Sequence, residues 1–159
     1  KSILIITSII MSETKELLEF FALSNVKFEK VLIKEHPLFP VSSIIKSFAK
    51  GFPSYKILKG SVEDAFSYSD IVYTANGSSV LLESVVKNKQ TISLISLTSL
   101  PIPAVTKATN LYFVKDVDSL KNVLNKLSNN FKSFTSEETI DKHLYIDKEL
   151  KLWRNFLNK

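Results

Sequence analysis

The stretch Ser69-Asp70-Ile71-Val72-Tyr73-Thr74-Ala75-Asn76-Gly77-Ser78-Ser79-Val80-Leu81-Leu82-Glu83-Ser84-Val85-Val86 decides the fold. Ile71 to Thr74 reads as a short strand buried on both faces. Ala75-Asn76-Gly77 reads as a tight turn, and a helix opens at Ser78 and Ser79. A strand that runs through a glycine turn into a helix leaves several backbone N–H groups unpaired and aimed the same way. The helix dipole adds partial positive charge at that point. Gly77 would supply a positive φ or let a ligand approach the backbone closely. Ser78 and Ser79 add two hydroxyls. The result is an anion site, with phosphate the usual anion. The plainer alternative is that Ser78 only caps a helix and Gly77 only makes a turn.

Outward from this stretch, the chain alternates strand and helix patterns. Ser2 to Thr7 is an apolar run of strand length. Ser12 is placed to cap the following helix, with Glu13 in its first turn and Leu17, Leu18, Phe21 and Ala22 at helical spacing. Lys30 to Lys34 is the second strand and ends at Glu35-His36-Pro37. Pro37 cannot donate to a ladder and biases His36 to an extended backbone. Val41 to Ala49 reads as a helix closed by Gly51-Phe52-Pro53. Tyr55 to Leu58 reads as a third strand, and Ser61 to Asp64 as a capping box before a brief helix ending near Tyr68. Thr91 to Leu94 and Leu111 to Val114 are the last strands. A helix carrying Leu120, Val123, Leu124 and Leu127 starts at Asp116.

This order predicts an α/β fold: a Rossmann-like, doubly wound parallel sheet of about six strands with helices on both faces. Residues 1–129 form the expected nucleotide-binding domain. Residues 130–159 read as a linker and an amphipathic C-terminal helix with Leu150, Trp153 and Leu157 on one face. That helix is expected to pack on this domain or on a missing N-terminal one. The loop from Ser96 to Thr109, with Pro101 and Pro103, is long enough to be functional.

Composition narrows the classes. The chain has 159 residues, 45% hydrophobic and 23% charged, which suits one globular domain with a real core. It has no apolar run of about 18 residues, so no membrane-spanning helix is expected. Cysteine is absent, which rules out disulfides and thiolate metal sites and makes the cytoplasm the default compartment. With His36 and His143 as its only histidines, a multi-histidine metal site is not expected. The net charge of +5 favours an anionic ligand or membrane face. The lysines are scattered along the sequence without interleaved aromatics, so nucleic-acid binding is not expected. No Gly-x-Gly-x-x-Gly follows the first strand, which disfavours hydride transfer.

Doubly wound sheets bind ligands at the carboxyl ends of their strands. Lys34-Glu35-His36-Pro37 ends strand two there, and Asn76 to Ser79 follows strand four. His36 can donate to a phosphate oxygen, and Lys34 can add a point charge unless strand alternation aims it elsewhere. Glu83 lies four residues after Ser79 on the same helix face, where it can accept from ribose hydroxyls or stand solvated.

At these residues the chain resembles the C-terminal, donor-binding half of GT-B glycosyltransferases. The likeness is to bacterial transferases that use CMP-activated sugars, such as polysialyltransferases, lipooligosaccharide sialyltransferases and capsule Kdo transferases. They carry a His-Pro motif and a downstream Ser-Ser or Ser-Thr motif. The resemblance implies that His36, Ser78 and Ser79 bind the phosphate of CMP and that Pro37 shapes the turn. Asn76, Gly77, Lys34 and Glu83 complete the expected nucleotide site. It further implies a nucleotide-sugar donor, no separate cofactor and no metal, and a role in surface polysaccharide or lipopolysaccharide synthesis. The family's acidic motif with the catalytic base belongs to an N-terminal domain and has no match here. The chain starts at Lys1 rather than Met and is expected to be a fragment that binds donor without catalysing transfer alone. A glycan or lipid-linked acceptor would meet the missing domain, and a peripheral contact with the inner membrane stays open. CDP-glycerol polymerases and UDP-sugar enzymes of the same fold are also similar. A noncatalytic α/β binding domain, or a purely structural one, is the alternative of another class.

Overall fold

The computed structural model describes residues 1–48, 51–96 and 108–129. The expected linker and tail helix, most of the Ser96–Thr109 loop, Trp153 and His143 lie outside the described residues.

The elements run β1 (Ser2–Ile6), α1 (Met11–Ser24), β2 (Lys30–Lys34), α2 (Ser42–Lys46), β3 (Lys56–Ile57), α3 (Val62–Phe66), β4 (Ile71–Ala75), α4 (Ser79–Val86), β5 (Gln90–Leu94), β6 (Leu111–Val114) and α5 (Val117–Asn129). The six strands form one sheet in the order β3-β2-β1-β4-β5-β6, and each pairing is parallel. This is a Rossmann-like α/β fold. The strand order reverses between β1 and β4, and in doubly wound sheets ligands bind at the carboxyl ends of the strands beside such a switch point.

Period-two alternation distributes the apolar strands between two cores. Ile3, Ile5, Ile33, Ile71, Tyr73, Ile92 and Leu94 face Leu17, Leu18 and Phe21 of α1 and Leu120, Leu124 and Leu127 of α5. On the opposite side Leu4, Ile6, Leu32 and Val72 meet Ala65 and Phe66 of α3. Leu81 and Val85 of α4 pack with Leu111 on a third cluster. Fully burying one such side chain contributes about 1.5–3 kcal/mol, so these layers dominate the fold's stability.

Local signals explain several boundaries. Asn25 ends α1 in the left-handed conformation at φ 53°, where Asn is tolerated. Ser61 caps α3: its hydroxyl oxygen accepts from the N–H of Asp64. Other boundaries differ from the sequence reading. Ser12 is not a cap but lies inside α1, which begins at Met11 with Ile10 at the N-cap position. The third strand is only Lys56–Ile57, because it pairs with β2 solely at Leu32 and Ile33. Tyr55 turns instead into an aromatic cluster, edge-on to Phe52 at 5.6 Å. α2 is shorter than the pattern suggests: Ser47 caps its end, and the Ser47 hydroxyl donates back to the carbonyl of Ile44 at 2.7 Å. No helix among the described residues is long and apolar enough to cross a membrane.

Candidate nucleotide-binding edge

β2 and β4 are the two neighbours of β1 in the sheet. The two motifs singled out in the sequence therefore stand on either side of the end of β1, at the switch point.

The β2 side is built by hydrogen bonds to the end of β1. The N–H of Thr7 donates to the carbonyl of Lys34 at 3.1 Å. The N–H of His36 donates in turn to the Thr7 hydroxyl at 2.9 Å. Past Pro37 the chain folds back, and Leu38 donates its N–H to Nδ1 of His36 at 3.3 Å. That bond occupies Nδ1 as an acceptor and puts the ring proton of the neutral imidazole on Nε2. His36 is half-buried and presents Nε2–H as its remaining donor. Glu35 does not join it. One carboxylate oxygen accepts from the N–H of Val41 at 3.0 Å and fixes the entry to α2. Lys34 is half-buried and shares the strand face of Leu32, the α3 side of the sheet.

On the β4 side, Asn76 is buried, 1% exposed. Its N–H donates to Leu94 at 3.0 Å, and its side-chain oxygen accepts from the Ser93 hydroxyl at 3.3 Å. The Nδ2 donor of Asn76 has no hydrogen-bond partner among the described residues. Gly77 is exposed, and it is not among the residues with positive φ, so the turn does not use glycine's left-handed freedom. Ser78 is the N-cap of α4 and accepts from the N–H of Val80 at 3.3 Å. Its hydroxyl hydrogen remains available to a ligand. Ser79 begins the helix and is exposed, and Glu83 is exposed one turn later.

Sequence reasoning missed the floor between these two sides. The Ser8 hydroxyl donates to one carboxylate oxygen of Glu13 at 2.6 Å and accepts from the N–H of Ile10 at 3.1 Å. Thr14 closes the turn, accepting from the N–H of Ser8 at 3.1 Å and donating to its carbonyl at 2.9 Å. Glu13 is 1% exposed, and its second oxygen has no partner among the described residues. The available signal was an acid followed by Thr in the first turn of the first helix, which reads equally well as an ordinary dipole-favoured residue. Among the described residues, no group of three or more His, Asp or Glu side chains is placed to hold a metal ion.

The edge thus offers an imidazole N–H, two serine hydroxyls and the positive end of the α4 dipole, where the N–H groups of Ser78, Val80 and Leu81 are already bonded to Ala75 and Ser78. Together they suit an oxyanion. A scan against protein-family models and a search of curated proteins both return no match for this chain.

Proposed function

We propose that this domain is the donor-binding half of a GT-B glycosyltransferase of bacterial surface polysaccharide or lipopolysaccharide synthesis, and that it holds a nucleotide-sugar, a CMP-sugar by preference, through its phosphate. The observation that carries this reading is the adjacency of His36 and the Asn76–Ser79 turn across the end of β1, at the point where the strand order reverses. The chemistry follows from the donors. As the bond between sugar and phosphate breaks, negative charge grows on the leaving nucleotide. His36 Nε2–H and the N-terminus of α4 are preorganised to stabilise it there. Ser78 and Ser79 orient the phosphate, and Glu83 accepts from ribose hydroxyls one helical turn away. The base that activates the acceptor would come from another domain.

Calorimetric titration with CMP, CDP, UDP and inorganic phosphate tests the reading. CMP should bind, and His36→Ala or the double Ser78→Ala/Ser79→Ala change should weaken it by about 1–3 kcal/mol, the cost of a lost hydrogen bond to a charged group. A preference for UDP or CDP would keep the site and change the donor. CMP binding that ignores both variants would remove the site from these residues.

A further inference from the structure

The end of α5 brings the chain out beside a basic cleft. Nζ of Lys1 donates to the carbonyls of Leu127 and Ser128, in the last turn of α5. The carbonyl of Lys1 accepts in turn from the N–H groups of Glu29 at 3.2 Å and Lys30 at 3.4 Å, at the start of β2. Lys30 opens onto a cleft of about 1460 Å³ that follows the sheet edge, lined by residues 25–32 and 51–59 with Ser67 and Tyr68. Lys27, Lys30, Lys56 and Lys59 line it and are exposed, against the single carboxylate of Glu29. None of the four forms an ion pair among the described residues, whereas Lys87 is paired with Glu63 at 2.7 Å. Lys56 pairs beside Leu32, two residues on from Lys30, so both lysines stand on one face of the sheet. Gathering like charges costs free energy that an acidic occupant would offset.

The occupant that this position favours is the chain itself. Residues 130–159 follow α5 and lie outside the described residues. Within them, Ser133 to Asp141 carries Glu137, Glu138 and Asp141 and no cation. Glu137 follows Asn129 by eight residues, which span up to about 26–29 Å. β1 neighbours β2 and β2 neighbours β3, at about 4.8 Å for each step. The first carboxylate therefore reaches the lysine group from the end of α5. A tethered segment also needs little affinity of its own, because its effective concentration is on the order of millimolar. β3 is an edge strand of two residues that begins with an exposed lysine. Native sheets blunt such edges with charge or cover them with another segment. We infer that residues 137–141 dock in the cleft beside β3, with Glu137, Glu138 and Asp141 paired to its lysines. The inference stands apart from the nucleotide site.

The full chain has no cysteine, so an introduced disulfide reports the docking without competing thiols. In a chain carrying Ser54→Cys and Ser136→Cys, the bond within the chain should close about tenfold faster than in one carrying Asn122→Cys and Ser136→Cys. Asn122 is exposed and lies off the cleft but far nearer Ser136 in sequence, so an undocked tail would favour it. Salt at about 1 M should remove most of the difference. Lys30→Glu with Lys56→Glu should slow the Ser54–Ser136 closure by about fivefold or more. Glu137→Lys with Glu138→Lys should do the same, and it changes no residue of the sheet. The two reversals combined should restore the rate. Lys15→Glu with Lys46→Glu, the same change of net charge off the cleft, should leave it within about twofold. The inference is overturned if the two cysteine pairs close equally fast or if the combined reversals fail to restore the rate. It is also overturned if the disulfide forms chiefly between chains, which would make a second copy the occupant.

Discussion

The backbone N–H of His36 donates to the side-chain hydroxyl of Thr7 at 2.9 Å. This bond extends the contact of β1 and β2 one step beyond their last backbone pairing and sets where the His-Pro turn begins. Thr7 is buried, so Thr7→Val would strand the N–H of His36 without adding bulk. The expected cost is about 1–2 kcal/mol of stability, read from urea unfolding, with a weaker response to CMP in calorimetry. Thr7→Ser keeps the hydroxyl and should restore most of both.

Asn76 gives a sharper test of the helix start. Its unpartnered Nδ2 sits one residue before Gly77 and two before the N-cap Ser78. Asn76→Asp nearly preserves shape, removes that donor and puts a carboxylate where an anion is proposed to bind. CMP affinity should drop by more than about tenfold, because like charge is added to a lost hydrogen bond. An unchanged affinity would place the phosphate away from this turn.

Much of the fold was legible because it depends on local pattern. Apolar runs such as Ile3 to Ile6, and the spacing of Leu120, Leu124 and Leu127, specify elements without knowledge of partners. Strand order and the length of β3 were not legible, since both arise from non-local pairing with β2 and β1. The site divides along the same line. His36 and Ser78 were visible because a His-Pro strand end and a Gly-Ser helix start have local signatures. Thr7, Ser8, Glu13 and Thr14 were not, since their roles exist only once the turn after β1 has closed on itself. Glu13 in particular reads only as an acid in the first turn of a helix, yet it is buried against Ser8.

Asp70 ties β4 to β1 at the opposite, amino end of the sheet. Its carboxylate accepts from both the N–H and the hydroxyl of Ser2 at 2.9 Å. Burial pushes this carboxyl up, but the two Ser2 bonds, with Lys89 nearby, hold it below the usual carboxylate range. A carboxyl depressed in the folded state stabilises above its unfolded pKa of about 3.9, and that contribution is lost as pH falls through the folded value. Partial exposure and screening limit it to about 1 kcal/mol. Asp70→Asn should therefore lower stability at neutral pH by that amount and flatten the acid limb of urea midpoints taken across the range. An unchanged acid limb would mean that the Ser2 bonds do not distinguish the ionised form.

Tyr73 lies at the centre of β4 with 0% exposure, and its hydroxyl has no hydrogen-bond partner among the described residues. A buried hydroxyl without a partner costs about 1–3 kcal/mol of desolvation that the folded state does not recover. Tyr73→Phe keeps the ring in its packing among the strands and removes only that oxygen. Stability should rise by about 1 kcal/mol, a few degrees in the melting temperature for a chain of this size. Alkaline pH gives an independent reading. Burial, with a smaller contribution from the charge of Glu16, pushes the Tyr73 phenol well above its ordinary value. The unfolded chain releases this proton near pH 10 while the folded one retains it, so above that point the unfolded state binds fewer protons and stability falls as pH rises. The Phe variant should lack this part of the alkaline loss. If it is instead less stable than the parent by 1 kcal/mol or so, the hydroxyl has a partner in solution, and the centre of β4 is held by a polar contact as well as by packing.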